Sequence, residues 1–359
     1  MRIAVPRRLF LILFPIPLAI CLLAALIIPG CSGPEDRTIE RQIYVFGTIV
    51  TLSFYGIDEP KADEAAAEID RLFQQMHHDW HAWQKGALAD LNQAIAEGRP
   101  APVPASLIPL IEKSREACLK SDGLFNPAIG RLVALWGFHS SELPSGPLPA
   151  PEAIEALVQA HPSMADIDIN DGVLTALNRA VRMDLGGIAK GYAVELALKR
   201  LRQLGVQNAI VNAGGGLGII GRHGDRSWRI GIRHPLGPGV LGTLAVFDGE
   251  NVHTSGNYER YREYEGRRYS HIIDPRTGWP VQEVVSATVI HADGAFADAF
   301  TKPLIIGGTR EWYRIAKTLG LQSAMLVDSE GTVYMDPSMA QRVQFEGVPP
   351  KVVVSDPLY

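Results

Sequence analysis

Gly216-Leu-Gly-Ile-Ile-Gly221 is the stretch on which the fold turns. It satisfies G-x-G-x-x-G, the spacing of a dinucleotide-binding loop. Such a loop works only when its glycines open a helix, because the pyrophosphate rests on the amides of the helix N-terminus. Here the glycines run into Arg222-His-Gly-Asp-Arg-Ser-Trp228, a polar turn, and then into an apolar stretch that reads as a strand. A doubly wound parallel sheet is therefore rejected.

Outward from that point the pattern mixes helices with antiparallel-looking strands. Strands are predicted over 208–211, 228–232, 243–247 and 285–291, after an amphipathic helix over 189–204 closed by Gly205. Upstream, 44–55 is rich in β-branched and aromatic residues and reads as one strand interrupted at Gly47. Residues 63–83 carry Ala66, Ile69, Leu72, Phe73 and Met76 on one helix face. Residues 101–109 form a proline-rich loop into a helix over 107–120, and 143–151 are a surface excursion. A helix–helix–strand–strand run over 295–336 ends the pattern. No regular βαβ rhythm appears, so the predicted class is α+β, with antiparallel-rich sheets packed with helices in a single compact body.

The chain has 359 residues, 47% of them hydrophobic, with a formal net charge of −5. That balance excludes a nucleic-acid binder, since no Lys/Arg run lies beyond the N-terminus. Three cysteines cannot build a disulfide framework. Cys118, the only one in the body, reads as a small buried hydrophobe. Arg2, Arg7 and Arg8 precede an apolar run from Leu9 to Ile28, which ends in Pro29-Gly30-Cys31-Ser32. This order describes an export signal resembling a bacterial lipoprotein signal, with Cys31 lipidated; the alternative is an uncut anchor helix. Both put the body outside the cytoplasm. The domain reading is a signal over 1–31, a tether over 32–42, a body over 43–345 and a C-terminal tail over 346–359.

Four segments carry more than folding needs. Ser121-Asp-Gly-Leu-Phe-Asn-Pro127 is a tight turn presenting Phe125 and Asn126. In Asp184-Leu-Gly-Gly-Ile-Ala-Lys-Gly-Tyr192 a glycine pair meets a helix start, with Lys190 placed for phosphate oxygens; the bland reading is a strand–helix corner. Thr254-Ser-Gly-Asn-Tyr-Glu-Arg260 precedes Tyr269-Ser-His-Ile-Ile-Asp-Pro-Arg-Thr-Gly278, where His271 is a general base, a phosphate holder or a structural histidine. Ala297-Asp-Ala-Phe-Thr-Lys302 opens a helix with an acid, which is a dipole partner or a magnesium ligand. His77 and His81, one turn apart, raise a weaker zinc idea with no third ligand in sight. Trp80 and Trp83 are stacking or core residues.

Taken in order, these segments resemble the FAD:protein FMN transferase family, the ApbE flavin transferases, from about Val45 to the end of the body. The resemblance implies an enzyme that binds FAD with magnesium, cleaves the pyrophosphate, releases AMP and leaves FMN on a threonine of an acceptor protein. It implies His271 as the catalytic residue. Phe46, Leu124, Phe125, Asn126, Asp184, Lys190 and Ile272 would line the FAD site. The Gly187 carbonyl and Asp298 would bind magnesium. It also implies a periplasmic, lipid-anchored setting, with the inner membrane favoured and the outer possible, and a respiratory or redox membrane flavoprotein as acceptor. The family's metal-binding threonine is replaced by Lys302: either Thr301 takes over, or Lys302 neutralises pyrophosphate charge, or the metal site is weakened. The alternatives to transfer are a magnesium-dependent FAD pyrophosphatase giving FMN and AMP, and a flavin-binding lipoprotein impaired in catalysis.

Overall fold

Phe46 and Gly47 both adopt positive φ, 55° and 70°. Positive φ at both central positions marks the two-residue turn that best matches the twist of paired strands. The span read as one strand is therefore a hairpin. Strand β1 (Thr38–Val45) pairs antiparallel with β2 (Thr48–Tyr55), so β1 begins inside the stretch read as a tether. The left-handed conformation costs a non-glycine residue about 1–2 kcal/mol. Packing of the Phe46 ring on Phe73 and His77 offsets it.

The structure, a computed structural model, describes residues 37–140 and 142–359. The expected signal, Cys31 and residues 32–36 of the expected tether lie outside the described residues. No helix among the described residues is long and apolar enough to cross a membrane.

A nine-stranded sheet organises the body. After the hairpin come β3 (Ala209–Ala213), β4 (Gly216–Ile220), β5 (Asn251–Gly256), β6 (Val284–His291), β7 (Ser323–Asp328), β8 (Val333–Met335) and β9 (Val352–Val354). Each pairs with the next; all pairs are antiparallel except β8 with β9. The glycines of the rejected fingerprint lie in β4, not before a helix. The span read as a C-terminal tail contributes β9 and buries Leu358. It is part of the sheet, because Met335 and its neighbours would otherwise leave an open edge.

The chain's chemistry is carried by the connections. Between β2 and β3 run α1 (Glu59–Trp80), α2 (Ala87–Glu97), α3 (Ile108–Lys120), α4 (Gly130–Leu135), α5 (Pro151–Gln159) and α6 (Ala189–Gln203). Between β6 and β7 runs α7 (Gly294–Thr318), broken at Gly308 (φ 66°), which accounts for the two predicted helices. Helices α6 and α7 pack against each other and on the sheet. The opposite face carries Ile210, Val252 and Ile290 into a second core with Ile230 and Leu244 of a three-stranded sheet. Strand β6 is thus buried on both faces, which is why its sequence reads as a nearly continuous apolar run. Cys118 is buried, as its helical context predicts.

Candidate active site

The Asp184–Tyr192 segment forms a corner leading into α6. Asp184 Oδ1 accepts the Gly186 amide at 3.0 Å, and Oδ2 accepts the Trp83 indole N–H at 2.9 Å. The aspartate therefore shapes the corner and anchors Trp83, whose ring also carries the Arg182 guanidinium at 4.1 Å. A Cβ on Gly187 would lie 3.1 Å from the Phe125 ring and 3.4 Å from Lys302 Cε. Two side chains from distant segments close on this backbone, and any larger residue would require them to give by a few tenths of an ångström.

Lys302 is the centre of the arrangement. Its ammonium donates to the Gly187 carbonyl at 2.9 Å, the Asp298 carbonyl at 2.8 Å and Asp298 Oδ1 at 2.5 Å. The other carboxylate oxygen, Oδ2, accepts the Gly191 amide at 3.0 Å. Burial alone would raise the Asp298 carboxyl, but the charges of Lys302 and Lys190 together with the Lys302 hydrogen bond hold it below its ordinary range.

This donor set does not fit the expected magnesium ion. Magnesium requires near-octahedral oxygens at about 2.0–2.1 Å and keeps several waters. Here the Gly187 carbonyl and one oxygen of Asp298 already receive an ammonium, which would repel a divalent ion by several kcal/mol at an effective dielectric of about 20. Thr301 does not substitute as a ligand. Its fully buried hydroxyl donates to the Asp298 carbonyl at 2.7 Å and shares a hydrogen bond with Ser255 Oγ, also at 2.7 Å. The expectation of Thr301 and Lys302 as metal ligands is corrected on these grounds: one is spent on the helix, the other is itself the cation.

Two lysines thus have different tasks. Lys302 spends its three protons on three oxygens. Lys190, in the first turn of α6, has no hydrogen bond or ion pair among the described residues, yet Asp298, His253 and His271 all feel its charge. It also faces Glu259, and among the described residues it is a cation of this site whose protons no protein oxygen takes.

His271 is a neutral imidazole. Burial, with the charges of Arg260, Lys302 and Lys190, lowers it from 6.5 to about 4, against the pull of the Arg260 carbonyl. Its Nδ1 lies 3.1 Å from that carbonyl. A carbonyl only accepts, so Nδ1 carries the proton and Nε2 keeps a lone pair. The Phe138 ring stands edge-on to the imidazole.

His253 was missed by the sequence reading. It lies in β5, 3% exposed, with Nδ1 3.8 Å from Asp298 Oδ1 and Nε2 without a hydrogen-bond partner. Burial holds it neutral, lowered to about 4. A Cβ on Gly216 would come within 2.2 Å of its ring, so the glycine run of β4 makes room for this histidine. The available signal was a histidine inside the Val252–Ser255 stretch of a buried strand.

The remaining expected residues divide. Phe125 and Leu124 are buried, Phe125 against Gly187. Ile272 is buried beside His271. Asn126 donates to the Pro162 carbonyl at 2.8 Å and accepts the Ala128 amide at 3.0 Å, so its side chain holds the turn. Phe46 lies against His77, and His77 against His81, whose Nδ1 accepts the amides of Trp83 and Gln84. No group of three His, Cys, Asp or Glu side chains that would hold a metal gathers there or elsewhere among the described residues.

The model of the ApbE family matches residues 46–326, which contain every element of this site. The chain belongs to the ApbE family. It is 39% identical over 320 residues to the FAD:protein FMN transferase of Rhodobacter capsulatus, covering 89% of this chain and 61% of that protein. It therefore spans less than two thirds of that relative's length. A Klebsiella pneumoniae protein of the same name is 32% identical, with 74% of this chain and 82% of its own length aligned. Among solved structures, the ApbE protein of Thermotoga maritima superposes with a TM-score of 0.77 at 28% identity, covering 87% of this chain and all of that one. The apo flavinyl transferase ApbE of Pseudomonas stutzeri gives 0.72 at 29% identity, covering 82% and 92%. The α+β body with antiparallel-rich sheets is thus the ApbE fold.

Proposed function

We propose that the protein is an FAD:protein FMN transferase that cuts the FAD pyrophosphate and leaves FMN, through its phosphate, on a threonine of an acceptor protein. The observation that carries the chemistry is the state of His271: neutral, with Nδ1 held by the Arg260 carbonyl and Nε2 bearing the lone pair. The threonine Oγ attacks the phosphorus on the FMN side while Nε2 takes its proton. The bond to the AMP oxygen breaks, and AMP leaves. Lys190 takes up charge on the phosphate oxygens, which is where most of the barrier lowering in phosphoryl transfer arises. No step is assigned to a metal.

Setting and acceptor extend this reading. The body is carried on a lipid at Cys31 on the periplasmic side of a bacterial membrane, supported by the basic, apolar and cysteine order of residues 2–31. The acceptor is a membrane redox flavoprotein within reach of that tether. Changing Cys31→Ala should release the protein into the soluble fraction.

The deciding test incubates the soluble body, from Gly33 onward, with FAD, with and without a candidate acceptor domain, and separates the nucleotides. AMP release with flavin covalently on the acceptor supports transfer. AMP with free FMN in both arms makes the protein a pyrophosphatase. Intact FAD in every arm removes catalysis and leaves a flavin binder.

A further inference from the structure

Lys302 occupies a closed coordination. Its ammonium has three protons, and each meets an oxygen: the Gly187 carbonyl, the Asp298 carbonyl and Asp298 Oδ1. The side chain is 16% exposed and the Asp298 side chain 5%. A lysine reaching out to bind phosphate would keep protons free; this one has none to give. Its arrangement is that of an ion held by a cage of oxygens, with Phe125 and the glycine at 187 closing one side.

The surroundings agree. Asp298 is locked from its other oxygen by the Gly191 amide, and the Thr301 hydroxyl is turned back onto the Asp298 carbonyl. The His253 ring stands 3.8 Å from the carboxylate and is itself buried. The Lys302 ammonium is the ion-pair partner of the Asp298 carboxylate at 2.5 Å. Admitting a divalent ion would require the lysine to leave three hydrogen bonds and its ion pair with Asp298, which is costly for a nearly buried pair.

We propose that Lys302 is a covalently attached replacement for a metal ion. It fixes Asp298 and the Gly187 backbone as a divalent cation would, so that the site binds FAD and works without one. The proposal rests on the FAD reading for its substrate, but its central claim concerns cation binding and is measured without turnover.

The test compares the wild-type soluble body with Lys302→Thr and Lys302→Met. Manganese(II) binding is followed by the loss of its free electron paramagnetic resonance signal, in the presence of FAD. FAD affinity is followed by flavin fluorescence with magnesium or with EDTA. The wild type should take up no manganese at millimolar concentration and should bind FAD equally, within about twofold, with magnesium or chelator. Lys302→Thr, which removes the ammonium and adds a hydroxyl, should bind one manganese per chain. Lys302→Met, which keeps the length without the charge, should weaken FAD binding at least tenfold in EDTA. Stoichiometric manganese uptake by the wild type, or a tenfold loss of its FAD affinity in EDTA, would overturn the proposal. If no FAD is cleaved in any arm, the transferase reading fails, while the manganese measurement still decides the role of Lys302.

Discussion

Gly191 of α6 and Gly294 of α7 approach so closely that neither tolerates a side chain. A Cβ on Gly191 would lie 2.0 Å from the Gly294 carbonyl oxygen, and one on Gly294 would lie 2.6 Å from the Gly191 carbonyl oxygen. This contact brings the Gly191 amide within hydrogen-bonding distance of Asp298, one turn further along α7. The helix crossing therefore sets the site.

Gly191→Ala forces α6 and α7 apart. Overpacking of this kind costs about 1–3 kcal/mol, and more where backbone must move. The expected outcome is a lowered midpoint in urea, together with weakened FAD binding. A variant of unchanged stability and affinity would show that the helices yield freely.

His271→Ala should slow FAD cleavage by about 10²–10⁴-fold, the range for loss of a positioned base. FAD affinity should stay within a few-fold, because the Nε2 lone pair serves the acceptor and not the nucleotide. Single-turnover AMP release, beside flavin fluorescence for binding, separates the two. An unaltered rate would take His271 out of the reaction.

The pH dependence follows from the same residue. His271 is lowered from 6.5 to about 4, so it remains a base throughout the range above pH 5. The acid limb of the rate should fall near pH 4 and not near 6.5. Stability carries the same sign. The unfolded chain binds a proton here as pH falls through 6.5, while the folded chain resists until about 4, so stabilisation present above 6.5 is lost across that window. The loss is on the order of 3 kcal/mol. A chemical-denaturation series from pH 7.5 to 4.5, repeated with His271→Asn, should show a shallower decline in the variant.

Lys190→Ala removes a site cation that, among the described residues, is not spent on protein oxygens. Turnover should fall by about 10²–10³-fold, the cost of losing one preorganised electrostatic group. Lys190→Arg should recover part of it, since charge is what counts. Rates for the two variants equal to each other would point to a packing role instead.

The pieces legible in the sequence are those governed by local rules. The 3.6 periodicity and the closing glycine locate α6 within a residue or so of Ala189–Gln203, and the apolar run marks β6. The polar turn after Gly221 excludes a nucleotide-binding helix, and β4 is what stands there. The departures have physical causes. A phenylalanine at a left-handed turn position reads as strand, because its side chain favours strands and only the packing on Phe73 and His77 holds the turn. Val352–Val354 reads as a tail because a three-residue edge strand draws its stability from pairing with Val333–Met335, which no local pattern displays.

By itself the sequence determined the ordered segments that define the family, the histidine beside Ile272, and a lysine one helical turn after Asp298. That spacing puts the ammonium near the carboxylate in any helix. Only the tertiary structure decided the third contact, to the Gly187 carbonyl 115 residues away. It exists because two glycines let α6 and α7 touch. That approach turns a local pair into a caged cation, and it depends on backbone geometry between segments that are remote in the chain.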